Sequence, residues 1–140
     1  MLTRKKPLVR KKPMRAFRKK RRPGNKPMTK DEHAHVMAAK EAKCIPCLVW
    51  AETGNMPIED VAVLNQYDHK KSGNIRRGHK KGFASCDWHH QGLVSCGWNH
   101  ARMRQHFGPS LMDGSRLFHA TYGSDDELIA RQNQVLQETP

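Results

Sequence analysis

Cys44-Ile-Pro-Cys47 and Cys86-Asp-Trp-His89 are two pairs of metal-binding residue types, each with two residues between its members. That gap lets both donors of a pair turn toward one ion. Three thiolates and one imidazole then make a closed tetrahedral set of the kind that holds structural zinc. Either pair alone is a weak signal, and the two together are more specific. The competing chemistry is a redox C-x-x-C, which calls for a βαβ pattern that does not surround Cys44 and Cys47. Four cysteines without a secretory signal also argue against a disulfide scaffold. Cys96 and His100 are metal-binding types as well. With four ligands already assigned, they read as a buried thiol and a surface or structural histidine.

Tyr67-Asp68-His69 lies between the two pairs, and His90 follows the fourth ligand directly. An acid-His pair on a strand, a variable loop and a Cys-x-x-His-His helix start resemble the HNH, or ββα-metal, nuclease motif. The 22-residue step from Asp68 to His90 suits a hairpin plus the first turn of a helix. The resemblance implies that Asp68 binds a catalytic divalent cation, His69 is the general base and His90 is the second cation ligand. The middle position of the motif falls on His79, with Asn74 behind it. A further ligand stays open among His79, His106, Asn74 and Asn99. These residue types suit phosphodiester cleavage. Imidazole accepts a proton from water near neutral pH, and a cation stabilises charge on the phosphate and the leaving oxygen. Carboxylate plus imidazole suits Mg²⁺, Mn²⁺ or Zn²⁺ with positions left open. Without catalysis, Asp68 and His69 are surface polar residues of a zinc-bound binding module.

A closer likeness covers roughly residues 33–136. It runs through Ser72-Gly73-Asn74-Ile75-Arg76-Arg77-Gly78-His79, Cys86-Asp87-Trp88-His89-His90 and Phe107-Gly108-Pro109-Ser110-Leu111. It continues in Gly114-Ser115-Arg116-Leu117-Phe118 and Tyr122-Gly123. These pieces resemble the Ref (recombination enhancement function) family, RecA-dependent HNH endonucleases of phage and prophage. The resemblance implies a basic N-terminal arm before a zinc-binding catalytic domain. It also implies a RecA filament on single-stranded DNA as partner and cleavage at a displacement loop. Residues 107–111 and 114–118 carry no chemistry of their own.

The elements that must position these groups belong to a small core. Hydrophobic residues make up 36% of the 140-residue chain and aromatics 6%, too little for a core through the whole length or for a two-domain enzyme. A small domain of this kind benefits from a metal staple. Residues 31–43 read as a helix, with Asp31 and Glu32 at its start and Lys40 and Lys43 at its end. Leu48-Val49-Trp50 and Val61-Ala62-Val63-Leu64 read as strands or turns. A brief strand is expected at Phe83–Ser85 and a short helix within 86–95. Gly108-Pro109 marks a turn. Ser124 and the acids after it start a helix over 125–137. Trp50, Trp88 and Trp98 read as core filler rather than base-stacking platforms. His33, His35 and His119 read as surface or packing residues. The fold class expected is small α+β, zinc-stabilised, with a ββα-metal motif.

Charge divides the chain. Of 26 Lys and Arg, 14 fall in residues 1–30 with no acid, while residues 31–140 are nearly balanced, so the net +13 resides in one arm. The arm also holds Pro7, Pro13, Pro23 and Pro27. It is expected to be disordered in isolation, because such a composition cannot offset the entropy cost of folding. Its natural partner is a polyanion, bound largely without sequence preference through counterion release. Arg18, Lys19, Lys20, Arg21 and Arg22 are its densest run. The competing readings are a solubilising tail or a localisation-like tract. Arg76, Arg77, Lys80 and Lys81, in the loop before the second ligand pair, are further DNA contacts or else ordinary solvated charges. No run of 18 apolar residues exists, so no membrane partner is expected, and the expected location is the bacterial cytoplasm, at the nucleoid. The overall expectation is a metal-dependent DNA endonuclease with residues 1–30 as arm and 31–140 as nuclease domain. A non-catalytic zinc module that binds nucleic acid is the alternative, and an RNA-binding ribosomal protein ranks last.

Overall fold

The computed structural model describes residues 26–72, 75–76 and 78–138, with main chain alone for 71, 72, 75 and 76. Thr29 opens the first helix, α1 (Lys30–Glu41). Its hydroxyl accepts from the Glu32 N–H, and the Glu32 carboxylate accepts from the Thr29 N–H. This reciprocal cap satisfies two donors that a helix start leaves unpaired. Thr29 and Lys30, grouped with the arm by charge pattern, therefore take part in the helix. Val36 and Ala39 face the core.

Helix α2 (Ile45–Glu52) contains Leu48-Val49-Trp50, which the sequence pattern placed in a strand or turn. Pro46 in the first helical turn explains the difference. Its fixed φ suits a helix start, and its missing N–H falls where no intrahelical partner exists. Val61–Leu64 is likewise not a strand. It follows a 3-10 turn at Ile58–Asp60 and is tied to the helix start by one bond, from the Cys44 N–H to the Ala62 carbonyl at 2.8 Å.

Strand β1 (Gln66–His69) is followed by a miniature hairpin of β2 (Lys71–Ser72) and β3 (Ile75–Arg76), then by β4 (Gly82–Ser85). β1 and β4 are antiparallel, with Gln66 opposite Ser85 and His69 opposite Gly82. Helix α3 (Asp87–Gln91) leaves β4 directly and stops at Gly92, which takes the left-handed conformation at φ 69°. Two antiparallel strands followed by a helix therefore carry Asp68, His69, His89 and His90. Gly82 must be glycine, because a Cβ there would lie 2.3 Å from the Asp68 carbonyl oxygen and 2.8 Å from the Tyr67 ring.

Helices α4 (His100–Phe107), α5 (Ser115–Tyr122) and α6 (Asp125–Glu138) complete the fold. Ser124 and Glu127 cap α6 reciprocally, as the sequence pattern indicates. α6 packs Leu128 and Ile129 with Ile45, Phe83, Phe118 and Tyr122. A second cluster gathers Leu48, Met56, Val61, Trp88 and Met103 around Cys44, Cys47 and Cys86. The α6 side chain Gln132, fully buried, accepts from the Ala84 N–H at 2.8 Å and so satisfies the edge of β4 that β1 leaves open. Gln132→Leu is expected to strand that buried donor and to cost about 1–3 kcal/mol. A thermal or urea melt of the two proteins measures it, and an unchanged midpoint would show that the bond contributes nothing.

Candidate metal centre and active site

The two ligand pairs use the same local device. Cys44 is the N-cap of α2 and Cys47 stands three residues on, while Cys86 is the N-cap of α3 and His89 stands three residues on. Cap and third helical position lie on one side of the first turn, so each C-x-x-C or C-x-x-H presents both donors together. Packing α2 against the β4–α3 junction then brings four buried ligand atoms within 4.8 Å of one another. Cys47 Sγ and Cys86 Sγ are 3.8 Å apart. His89 Nδ1 lies 3.6, 3.3 and 3.2 Å from the sulfurs of Cys44, Cys47 and Cys86. Zinc with Zn–S of about 2.3 Å and Zn–N of about 2.0–2.1 Å separates its tetrahedral ligand atoms by roughly 3.5–3.8 Å. The cluster could therefore hold a structural metal such as zinc.

Electrostatics point the same way. Burial pushes the Cys44 thiol up, and its sulfur neighbours add to the effect. Hydrogen bonds from Cys44 and Cys47 hold the Cys86 thiol well below its ordinary value, against burial and with help from His89. Burial opposes charge on His89, but Cys47 and Cys86 outweigh it and raise its pKa to about 10. A cation satisfies the same negative charge, and binding it releases protons.

The surroundings of His89 give a purpose to residues whose role was not legible in the sequence. Its other nitrogen, Nε2, lies 2.9 Å from the Phe107 carbonyl and 3.0 Å from the Tyr122 hydroxyl. Tyr122 donates to the Pro109 carbonyl at 2.7 Å, and Trp88 donates to the Gly108 carbonyl at 2.9 Å. Phe107-Gly108-Pro109 is thus a turn whose carbonyls face His89, Trp88 and Tyr122 in order. A proton on Nε2 leaves the Nδ1 lone pair for a metal. Gly108 has φ 81°, and a Cβ there would meet the Tyr122 hydroxyl at 2.5 Å and Trp50 at 2.9 Å.

The Asp68 carboxylate and the His90 ring meet across the β1–α3 junction, with Oδ2 and Nδ1 3.7 Å apart. His90 Nδ1 is buried and has no hydrogen-bond partner among the described residues. Two atoms that share a cation at about 2.0–2.2 Å lie no more than roughly 4.3 Å apart, and the 3.7 Å spacing falls within that limit. The sequence pattern missed Lys70, one of six basic residues in its loop. Lys70 is buried, with its Nζ 2.7 Å from Asp68 Oδ2, 3.6 Å from Asp125 and 4.5 Å from the centre of the Phe83 ring. It holds the Asp68 carboxylate in place and balances its charge.

His69 is next to Asp68 but faces the other side of β1, as successive strand residues do. It contacts the Tyr67 ring at 5.0 Å, and its Nε2 lies 3.1 Å from His79 Nδ1. The described residues considered as further cation ligands are occupied elsewhere. His79 bonds His69 and the Lys26 carbonyl, His106 pairs with Asp60 at 2.8 Å, and Asn99 caps α4. Among the described residues no third His, Cys, Asp or Glu forms a metal cluster with Asp68 and His90. Cys96 is exposed, contrary to the expected buried thiol, because it sits in a loop after α3 whose residues 93–97 are all exposed. His100 is exposed and pairs with Asp113 at 3.2 Å.

Lys80 and Lys81 are exposed and line a cleft of about 480 Å³ with His35, Asn133 and Gln137. Arg76 lies in β3. Arg77, Asn74 and the arm residues Arg18, Lys19, Lys20, Arg21 and Arg22 fall outside the described residues. Among those described, no helix is long and apolar enough to cross a membrane.

Fold and site define a small α+β protein with a buried Cys3His cluster that could hold a metal. A family described as recombination enhancement, RecA-dependent nuclease matches residues 27–137. The chain belongs to that family. No curated protein matches it.

Proposed function

We propose that the protein is a metal-dependent DNA endonuclease of the HNH type, acting with RecA in phage or prophage recombination. The observation that carries this reading is the pairing of Asp68 with the buried His90 Nδ1, which has no hydrogen-bond partner among the described residues, at 3.7 Å and directly beside the Cys3His cluster. Zinc on Cys44, Cys47, Cys86 and His89 joins α2 to the strand–helix unit and fixes its shape. Asp68 and His90 would hold the catalytic cation (Mg²⁺, Mn²⁺ or Zn²⁺), which would supply stabilisation of charge on the phosphate and on the leaving oxygen. His69 accepts the proton of the attacking water. Arg76, Arg77, Lys80, Lys81 and the arm run Arg18–Arg22 grip the phosphates, position the strand and impose no sequence preference.

The test is cleavage of supercoiled DNA by the wild type, supplied with Mg²⁺ or Mn²⁺ and a RecA-coated strand. DNA left uncut, with zinc and DNA bound, would favour a non-catalytic binding module. Under the nuclease reading, His90→Ala lowers the rate far more than Lys81→Ala. A lost cation ligand removes the site, while a lost phosphate contact mainly weakens binding and flattens its salt dependence by about one unit of log-log slope. Equal losses in rate would count against the assignment.

A further inference from the structure

Two of the three tryptophans serve the fold. Trp50 and Trp88 donate their indole N–H groups to the main-chain carbonyls of His106 and Gly108 at 2.8 and 2.9 Å. Trp98 differs. It is half-buried, and its indole N–H is neither buried nor hydrogen-bonded among the described residues. Two successive left-handed residues precede it, Cys96 at φ 58° and Gly97 at φ 69°. That conformation is uncommon for a residue other than glycine. The Arg102 guanidinium carbon stands 4.2 Å over the Trp98 ring. Arg102 is exposed and has no acidic partner among the described residues. The indole thus holds in place a cation whose side-chain donors are open.

Trp98 and Arg102 line a cleft of about 300 Å³ with Asn55, Gln105 and His106. His106 stands edge-on to Trp98 at 81° and is held by Asp60 at 2.8 Å. Asn55 donates to Thr53 Oγ1 at 2.7 Å, which leaves its carbonyl oxygen as an acceptor, and the Gln105 carboxamide has no partner among the described residues. Gln105 also borders the next cleft along α4, where Arg104 is a second cation without an acidic partner. An aromatic with a cation on it offers a base stacking and cation–π attraction, carboxamides meet the edge of a base, and a further cation meets a phosphate.

We propose that the Trp98–Arg102 cleft binds an unpaired base of single-stranded DNA, with Arg104 on a neighbouring phosphate. A paired base shows its faces only to its neighbours in the stack, so a duplex cannot fill the cleft without unstacking. Asp68, His90 and the Cys3His residues do not line the cleft, so this is a contact with the strand apart from the cutting site. That the strand is DNA rests on the proposed function, whereas recognition of an unpaired base does not.

The indole ¹H–¹⁵N signals of the full-length, zinc-loaded protein, with no Mg²⁺ or Mn²⁺ added, read the cleft directly. An oligothymidylate of about eight nucleotides is compared with a duplex and with an abasic strand of the same length, which carries phosphates but no bases. The Trp98 signal is expected to move with the oligothymidylate alone, and the Trp50 and Trp88 signals to stay in place throughout. Trp98→Leu should weaken oligothymidylate binding about fivefold or more and leave abasic-strand binding within about twofold, while Trp98→Phe, which keeps a π-face, should stay within about threefold of wild type. Equal movement with the abasic strand would reduce the cleft to a phosphate contact and overturn the proposal. Equal movement with the duplex, no movement with any strand, or equal losses in the two variants would overturn it too. If Trp98→Leu fails to fold, the wild-type spectra decide. Should the wild type cut no DNA, the nuclease reading fails, and the response of Trp98 to unpaired bases still decides the role of the cleft.

Discussion

Replacing His69 by alanine is expected to slow strand cleavage by about 10²–10⁴-fold and to leave zinc content, melting temperature and DNA affinity close to wild type. The expectation follows from where the side chain sits. His69 is half-buried, contacts Tyr67 and His79, and contributes nothing to the Cys3His cluster. Its removal takes away a proton acceptor and a little packing, not a ligand. The measurement is a nicking time course with Mg²⁺ or Mn²⁺ and a RecA-coated strand, run beside zinc analysis and a melt. Wild-type rates in the alanine variant would mean that another group activates water. Lost rate with lost zinc would mean that His69 serves the fold.

Cys44→Ser is expected to unfold the domain. Structural zinc supplies an apparent ~10–16 kcal/mol in zinc-finger peptides, while whole domains are stable by only about 5–15 kcal/mol. Cys44 is fully buried, is the N-cap of α2, and accepts the Cys86 N–H at 3.2 Å. It therefore links both halves of the cluster before any ion is counted. Strong chelation of the wild type should reproduce the effect, and Cys96→Ser, at an exposed thiol outside the cluster, should not. Circular dichroism and zinc stoichiometry check this. A folded, zinc-free Cys44→Ser protein would remove structural metal from the account.

Much of the site was legible in the sequence because it depends on spacing along the chain. Two donors three residues apart at a helix start share one side whatever lies around them, so the four cluster residues could be picked out together. The capping signal of Ser124 and its acids acts within a single turn, and α6 begins where that signal places it, whereas the Thr29 cap of α1 falls in the stretch that charge alone assigns to the arm. The acid-His pair and the His after the fourth ligand were visible for the same reason.

What only the tertiary structure decided are the partnerships between distant segments. Lys70 is one cation among six in a basic stretch until β1 pairs with β4 and buries it against Phe83 beside Asp68. His79 passes for a cation ligand until folding brings Lys26 and His69 to its two nitrogens. Phe107-Gly108-Pro109 has no chemistry of its own until its carbonyls face His89, Trp88 and Tyr122. Leu48-Val49-Trp50 is apolar enough for a strand, and becomes helical because Pro46 starts a turn whose first residues face the cluster. Residue types and short spacings are properties of the chain. A hydrogen-bond partner 40 or 50 residues away exists only once helices and sheet have packed, since burial selects which polar groups must find one another.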